Sequence, residues 1–123
     1  MKKILLIDDV KDLADVLADT LRMHDYEVLV SYSGQQALDI LKNDPEIGLV
    51  VTDIIMPDID GIDIIDHIRE HYAGLPIIAM SGGGVSLQSG DVLKIVEEKV
   101  TAFLNKPICV DSFVKKVAEI LAP

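Results

Sequence analysis

The sequence predicts an α/β domain: a doubly wound, five-stranded parallel sheet covered by helices on both faces. Three observations lead there. Short apolar runs rich in Ile, Leu and Val alternate along the chain with longer segments whose apolar residues recur at helical spacing. The connections between them are short. Carboxylates collect just after two of the apolar runs, as Asp8-Asp9 and as Asp53, at the strand edge where open parallel sheets bind ligands.

The elements follow in order. Ile4 to Ile7 is the first strand, and Leu13, Val16, Leu17, Thr20 and Leu21 mark a helix from Lys11 to Met23. Glu27 to Val30 is the second strand. Ser33 and Gln36 form a capping-box signature that opens a helix carrying Ala37, Leu38, Ile40 and Leu41, which Pro45 stops. Gly48 to Thr52 is a third, β-branched strand that delivers Asp53, and Pro57 and Gly61 force a loop beyond it. A helix follows Gly61, with Ile62, Ile65 and Ile68 inward. Pro76 to Met80 is the fourth strand, and Gly82-Gly83-Gly84 forms a loop. The segment Ser86 to Lys99 reads as a helix with Val92, Ile95 and Val96 inward. Thr101 to Leu104 is the fifth strand, and Val110 to Leu121 closes the chain as a helix built on Phe113, Val114, Val117, Ile120 and Leu121.

A chain of 123 residues is one domain with a full core, and no residues are left over for a second. Half of the residues are hydrophobic but only 4% are aromatic, so the core is mostly Ile, Leu and Val. The net charge of −10 disfavours binding to a nucleic-acid backbone, which needs clustered cations. Cys109 is the single cysteine, so no intrachain disulfide forms, which fits a reducing compartment. No apolar stretch is long enough to cross a bilayer or to serve as a signal peptide, and a cytoplasmic protein is expected.

The strand ends carry the chemistry. The first strand delivers Asp8 and Asp9, the third Asp53, the fourth Ser81 and the fifth Lys106, followed by Pro107. With the strand order 2-1-3-4-5, common among doubly wound sheets, the strands bearing these residues are neighbours. Two unit charges ~4 Å apart cost about 4 kcal/mol at an effective dielectric of ~20, so clustered carboxylates retain a proton or recruit a cation. An all-oxygen ligand set with open positions suits Mg²⁺. A carboxylate beside Mg²⁺ and a lysine can attack phosphorus to form an aspartyl phosphate, with the metal and the lysine neutralising the phosphoryl oxygens.

Asp8-Asp9, Asp53-x-x-Met56-Pro57 with Asp60-Gly61, Ser81 and Lys106-Pro107 together resemble the receiver domain of bacterial two-component response regulators, over the whole chain and in order. The resemblance implies a flavodoxin-like (βα)5 fold with residues 1–123 as a single receiver and no output domain. It implies Asp53 as phosphoacceptor, Mg²⁺ held by Asp9, Asp53 and the carbonyl of Ile55, and Asp8 acting through water. Lys106 pairs with the phosphoryl group, Ser81 turns toward it, Phe103 is the aromatic that rotates inward, and the bond before Pro107 is cis. The implied donor is a sensor histidine kinase or histidine phosphotransfer protein. The implied signalling surface is the fourth helix, fifth strand and fifth helix, on a monomer or a phosphorylation-dependent dimer. The chain departs from the family's usual pattern at Lys99-Val100, often Gly-Ala, at Ile108, often Phe, and at Ile55, often polar.

Plainer roles compete. Asp8-Asp9 alone would be a turn capping the first helix, and Lys106 alone a surface lysine. Phe103 and Cys109 alone would be packing residues. His24, His67 and His71 fall near helix ends and read as surface residues. Asp58, Asp60, Asp63 and Asp66 read as a solvated loop and helix face. Other functions compete as well. A haloacid-dehalogenase-like phosphohydrolase would place a second Asp two residues after the nucleophile, where this chain has Ile55. A flavin or nucleotide binder would want a Gly/Ser/Thr loop after the first strand, where this chain has two aspartates. A pseudo-receiver that only binds protein is expected to lack the acceptor or the lysine, and both are present.

Overall fold

The computed structural model describes residues 3–54, 61–82 and 96–122. Strand and helix alternate: β1 (Lys3–Ile7), α1 (Lys11–Met23), β2 (Glu27–Ser31), α2 (Gly34–Asn43), β3 (Ile47–Asp53), α3 (Gly61–His71), β4 (Ile77–Gly82), β5 (Ala102–Lys106) and α4 (Val110–Leu121). Of the helix expected over Ser86–Lys99, the described residues 96–99 are helical. The rest of it lies outside the described residues, as does most of the triple-glycine loop. The strands form one sheet in the order β2-β1-β3-β4-β5, with every pair parallel. From β1 the chain first steps to one side, to β2, and then to the other, to β3. The connections leaving β1 and β3 therefore part, and a crevice opens between their C-terminal ends.

Alternation along the strands sorts the core into two layers. Leu5, Ile7, Val50, Ile77 and Ala79 pack with Ala37 and Leu41 of α2 and with Ile64, Ile65 and Ile68 of α3. Ile4, Leu6, Leu49, Val51, Ile78 and Met80 pack with Leu17 and Leu21 of α1 and with Phe113 and Val117 of α4. The inward faces differ in detail from the expected ones. In α1 the buried residues are Ala14, Leu17, Ala18 and Leu21, while Val16 is exposed. Val16 falls outside the arc of the helix that these four residues bury. In α3, Ile64 is buried where Ile62 was expected, and Ile62 packs at the margin. In α4, Val114, Ile120 and Leu121 also pack at the margin.

The capping box is present with a changed partner. Ser33 accepts from the Gln36 N–H at 3.2 Å, and the Gln36 side chain reaches back to the Tyr32 N–H at 3.3 Å rather than to Ser33. The strands also run further than their apolar runs. β3 ends on Asp53, β4 extends through Ser81 to Gly82, and β5 ends on Lys106. Pairing continues past the last apolar residue because each strand finds a partner there: Asp53 with Met80, Ser81 with Asn105 and Gly82 with Lys106.

One glycine is required by close approach. The Gly61 N–H donates to the Ile54 carbonyl at 2.7 Å. A Cβ on Gly61 would sit 2.5 Å from Ile54 Cα and 2.7 Å from its carbonyl oxygen, and closer still to the Asp53 carbonyl. Those are backbone atoms that cannot rotate away. Gly61→Ala is expected to destabilise the protein by about 2 kcal/mol or more, read from urea denaturation. A loss below about 0.5 kcal/mol, the range of an ordinary surface change, would show that α3 shifts freely against β3.

Candidate functional site

Asp53 is held from its backbone outward. Ile54 N–H donates to the Met80 carbonyl at 2.9 Å, and Thr52 Oγ1 donates to the Asp53 carbonyl at 2.9 Å. The Asp53 side chain is buried at the end of the strand. Asp8 follows β1 directly. Its N–H donates to the Ser31 carbonyl at 3.1 Å, and its Oδ1 accepts the Val10 N–H at 2.9 Å. Asp8 thus closes the turn into α1, whose N-cap residue Val10 offers no side-chain cap. The turn reading of Asp8 holds for one of its oxygens.

The other oxygen meets Lys106. Its ammonium lies 3.0 Å from Asp8 Oδ2 and 2.8 Å from Asp53 Oδ2. Strands in a sheet stand about 4.8 Å apart, so the lysine stem reaches from β5 past β4 to groups on β3 and after β1. Asp9 is exposed beside them, and Asp8, Asp9 and Asp53 each offer a carboxylate oxygen within 4.8 Å of the others. Ser81 is buried one residue beyond Met80, the register partner of Asp53. Phe103 is half-buried against the layer built on α2 and α3 and stands opposite Ala79 in the ladder. The Lys106–Pro107 bond is cis. Ile55 lies outside the described residues.

Sequence reasoning missed several supports of the site. The Val10 N–H is a backbone group with no residue signature. Thr52 carries a hydroxyl in an otherwise apolar run, a signal that was available. Cys109, read as a packing residue, is exposed at the N-cap of α4. Lys99, one of the departures, pairs with Asp66 at 2.5 Å, and its carbonyl accepts from Arg69 Nε at 2.5 Å.

Burial sets the electrostatics. Loss of solvent raises the Asp8 carboxyl above its ordinary range, although the Val10 N–H and the Lys106 ammonium both favour its charged form. Lys106 is also partly desolvated, which lowers its pKa, but its hydrogen bonds to Asp53 and Asp8 more than offset this and the net shift is upward. The pair disagrees in sense, since an ion pair alone would lower the acid. Asp8 is fully buried and Lys106 is not, so desolvation decides for Asp8. Three carboxyl groups gather around a single ammonium. All the candidate ligands are oxygens, and Asp9 opens to water. This donor set fits a hard divalent cation such as Mg²⁺, which keeps several waters, better than a soft one.

Because the folded-state pKa of Asp8 is raised, ionising it costs stability. The cost is absent below its ordinary value of 3.8 and grows as pH rises toward the folded value. Asp8→Asn, which keeps an acceptor for the Val10 N–H, is therefore expected to stabilise the metal-free protein at neutral pH by about 1 kcal/mol. The gain should vanish in acid. Urea denaturation with chelator present, at neutral and acidic pH, measures both, and an equal gain at the two pH values would contradict the assignment.

The comparisons with known proteins agree with this geometry. Residues 4–118 match the family model described as the response regulator receiver domain. The transcriptional regulatory protein CpxR of Escherichia coli K12 is 34% identical over 121 residues, which span 98% of this chain and 50% of that protein. The chain thus spans about half the length of this curated relative. A receiver domain protein from Clostridium thermocellum shares the fold at a TM-score of 0.87 and 24% identity, covering 98% of this chain and 94% of that one. The Thermotoga maritima response regulator TrrA, solved in complex with Mg²⁺-BeF, superimposes at a TM-score of 0.84 with 26% identity, covering 98% and 100% of the two chains. With the family model spanning nearly the whole chain, over the same residues that build the acidic edge, this protein belongs to the response regulator receiver domain family of two-component signalling.

Proposed function

We propose that the chain accepts a phosphoryl group on Asp53 in a Mg²⁺-dependent step, and that this modification switches a protein-interaction surface. The observation that carries the reading is the buried Asp53 carboxylate, 2.8 Å from Lys106 and clustered with Asp8 and Asp9 at the switch point of the sheet. The proposed donor is a phosphohistidine on a sensor histidine kinase or phosphotransfer protein. The relatives are response regulators, and TrrA is described as binding Mg²⁺ with beryllofluoride, which supports the reading.

An Asp53 carboxylate oxygen attacks phosphorus, an O–P bond forms, the N–P bond to the donor imidazole breaks, and the released imidazole nitrogen takes up a proton. Asp9, Asp53 and the Ile55 carbonyl are the proposed direct metal ligands, with Asp8 acting through water. Bound Mg²⁺ would supply charge neutralisation to the phosphoryl group. Lys106 leaves its two carboxylates to pair with the incoming phosphoryl group, a charge-assisted contact. The Ser81 hydroxyl donates to the phosphoryl oxygen, and Phe103 follows it inward. Hydrolysis of the acyl phosphate returns Asp53, and no external substrate is turned over. A two-state element biased by phosphorylation then carries the signal. A cytoplasmic location fits the donor, and among the described residues no helix is long and apolar enough to cross a membrane.

Intact mass after incubation with acetyl phosphate tests this. One added phosphate is expected with Mg²⁺, none without it and none in Asp53→Asn. Lys106→Ala is expected to slow adduct formation by about tenfold or more, as loss of a charge-stabilising donor does. Absence of both an adduct and Mg²⁺ binding would instead favour a phosphorylation-independent interaction module. If Mg²⁺ binds without an adduct, beryllofluoride binding separates fast hydrolysis from an inert site.

A further inference from the structure

The far end of α3 carries a second cluster that the acidic edge does not use. His67 and His71 lie one helical turn apart, and their ring centroids are 4.4 Å from each other. Residues at this spacing share a helix face. Both histidines line a groove of about 330 Å³ between α2 and α3, together with Leu38, Asp39, Lys42 and Tyr72. His71 is about half exposed, and Glu70 Oε2 lies 4.0 Å from His71 Nε2. The site sits ten residues beyond Gly61, so at 1.5 Å per residue it is about 15 Å along the helix from the Asp53 end.

We propose that His67 and His71 form a two-imidazole site for a divalent transition-metal ion, of the Zn²⁺, Cu²⁺ or Ni²⁺ class, in the groove between α2 and α3. Two histidines at i and i+4 on one helix face are the spacing by which helices grip such ions. Imidazole selects this class over Mg²⁺ or Ca²⁺, which prefer oxygen. The two rings already stand close, with an interplanar angle of 44°. The ion would lie at the C-terminal end of α3, where the helix dipole favours a cation. Asp39 brings a carboxylate to the same groove from α2. Glu70 Oε2, 4.0 Å from His71 Nε2, adds a negative charge near the site without a direct hydrogen bond to the ring.

Two features bound the claim. Lys42 also lines the groove and opposes a cation, but it is an exposed lysine on a flexible stem. Among the described residues no third His, Cys, Asp or Glu completes a metal set with the two histidines. The remaining positions therefore belong to water, and the site binds an ion rather than building a closed structural zinc centre.

Calorimetric titration of the whole chain with Zn²⁺, in saturating Mg²⁺ so that the acidic cluster is occupied, tests the site. One Zn²⁺ per chain is expected, weakened about tenfold or more in His71→Gln and unchanged in His24→Gln. At the same Zn²⁺ concentration, Zn²⁺ should raise the melting temperature of wild type more than that of His71→Gln, as ligand binding to the folded state requires. With Cu²⁺ as probe, electron paramagnetic resonance should show coupling to two nitrogens. Equal Zn²⁺ affinity in His71→Gln, no Zn²⁺ binding under Mg²⁺, or coupling to a single nitrogen would each overturn the proposal.

Discussion

The ammonium of Lys106 between the carboxylates of Asp8 and Asp53 is the contact on which the acidic edge depends. Its three groups come from the beginning, the middle and the end of the chain and meet because β1, β3, β4 and β5 pair in parallel register. Asp8 is fully buried and Asp53 nearly so. Carboxylates in that environment are tolerable only with a compensating cation and hydrogen bonds to the remaining lone pairs. Lysine supplies the cation, and the Val10 N–H takes the second oxygen of Asp8.

The packing around the site is arranged to keep the carboxylates still. Asp53 is the last ladder residue of β3 instead of the first residue of a loop, with the Ile54 amide tied to β4 and the start of α3 pressed onto the Asp53–Ile54 peptide. Lys106 is likewise a ladder residue. Side chains fixed to strand ends hold their geometry better than side chains on loops. The opposite edge has a different character. There Arg69 ties α3 to the connection before β5 and to Leu75, and Lys99 adds an ion pair to Asp66. A Gly at position 99 could not make that ion pair, so this departure from the family's habit has a structural use.

Much of this was legible in the residues, because the signals were periodic or local. Apolar runs of Ile, Leu and Val marked each strand, the Ser33–Gln36 signature marked the start of α2, and the carboxylates stood out against apolar neighbours. The strand order was assumed from common practice and holds in the structure. The errors fell where three-dimensional proximity overrides local pattern. Ala14 and Ala18 are buried in α1, Val16 went to solvent, and Cys109 lies outside the core. Reading the histidines one by one, against the carboxylates only, overlooked their relation to each other.

By itself the sequence determined the class of fold, the succession of elements and the identity of the groups at the strand ends, since hydrophobic periodicity and turn residues are properties of short segments. Tertiary structure alone decided which oxygen of Asp8 turns to Lys106 and which to Val10, because that choice depends on packing between β1, β5 and α1. It also decided that Asp8 is driven toward its neutral form, since desolvation depends on what covers a carboxylate and not on its neighbours in the chain. And it decided that His67 and His71 face a groove closed on the other side by α2, a relation between two helices that no segment of sequence contains.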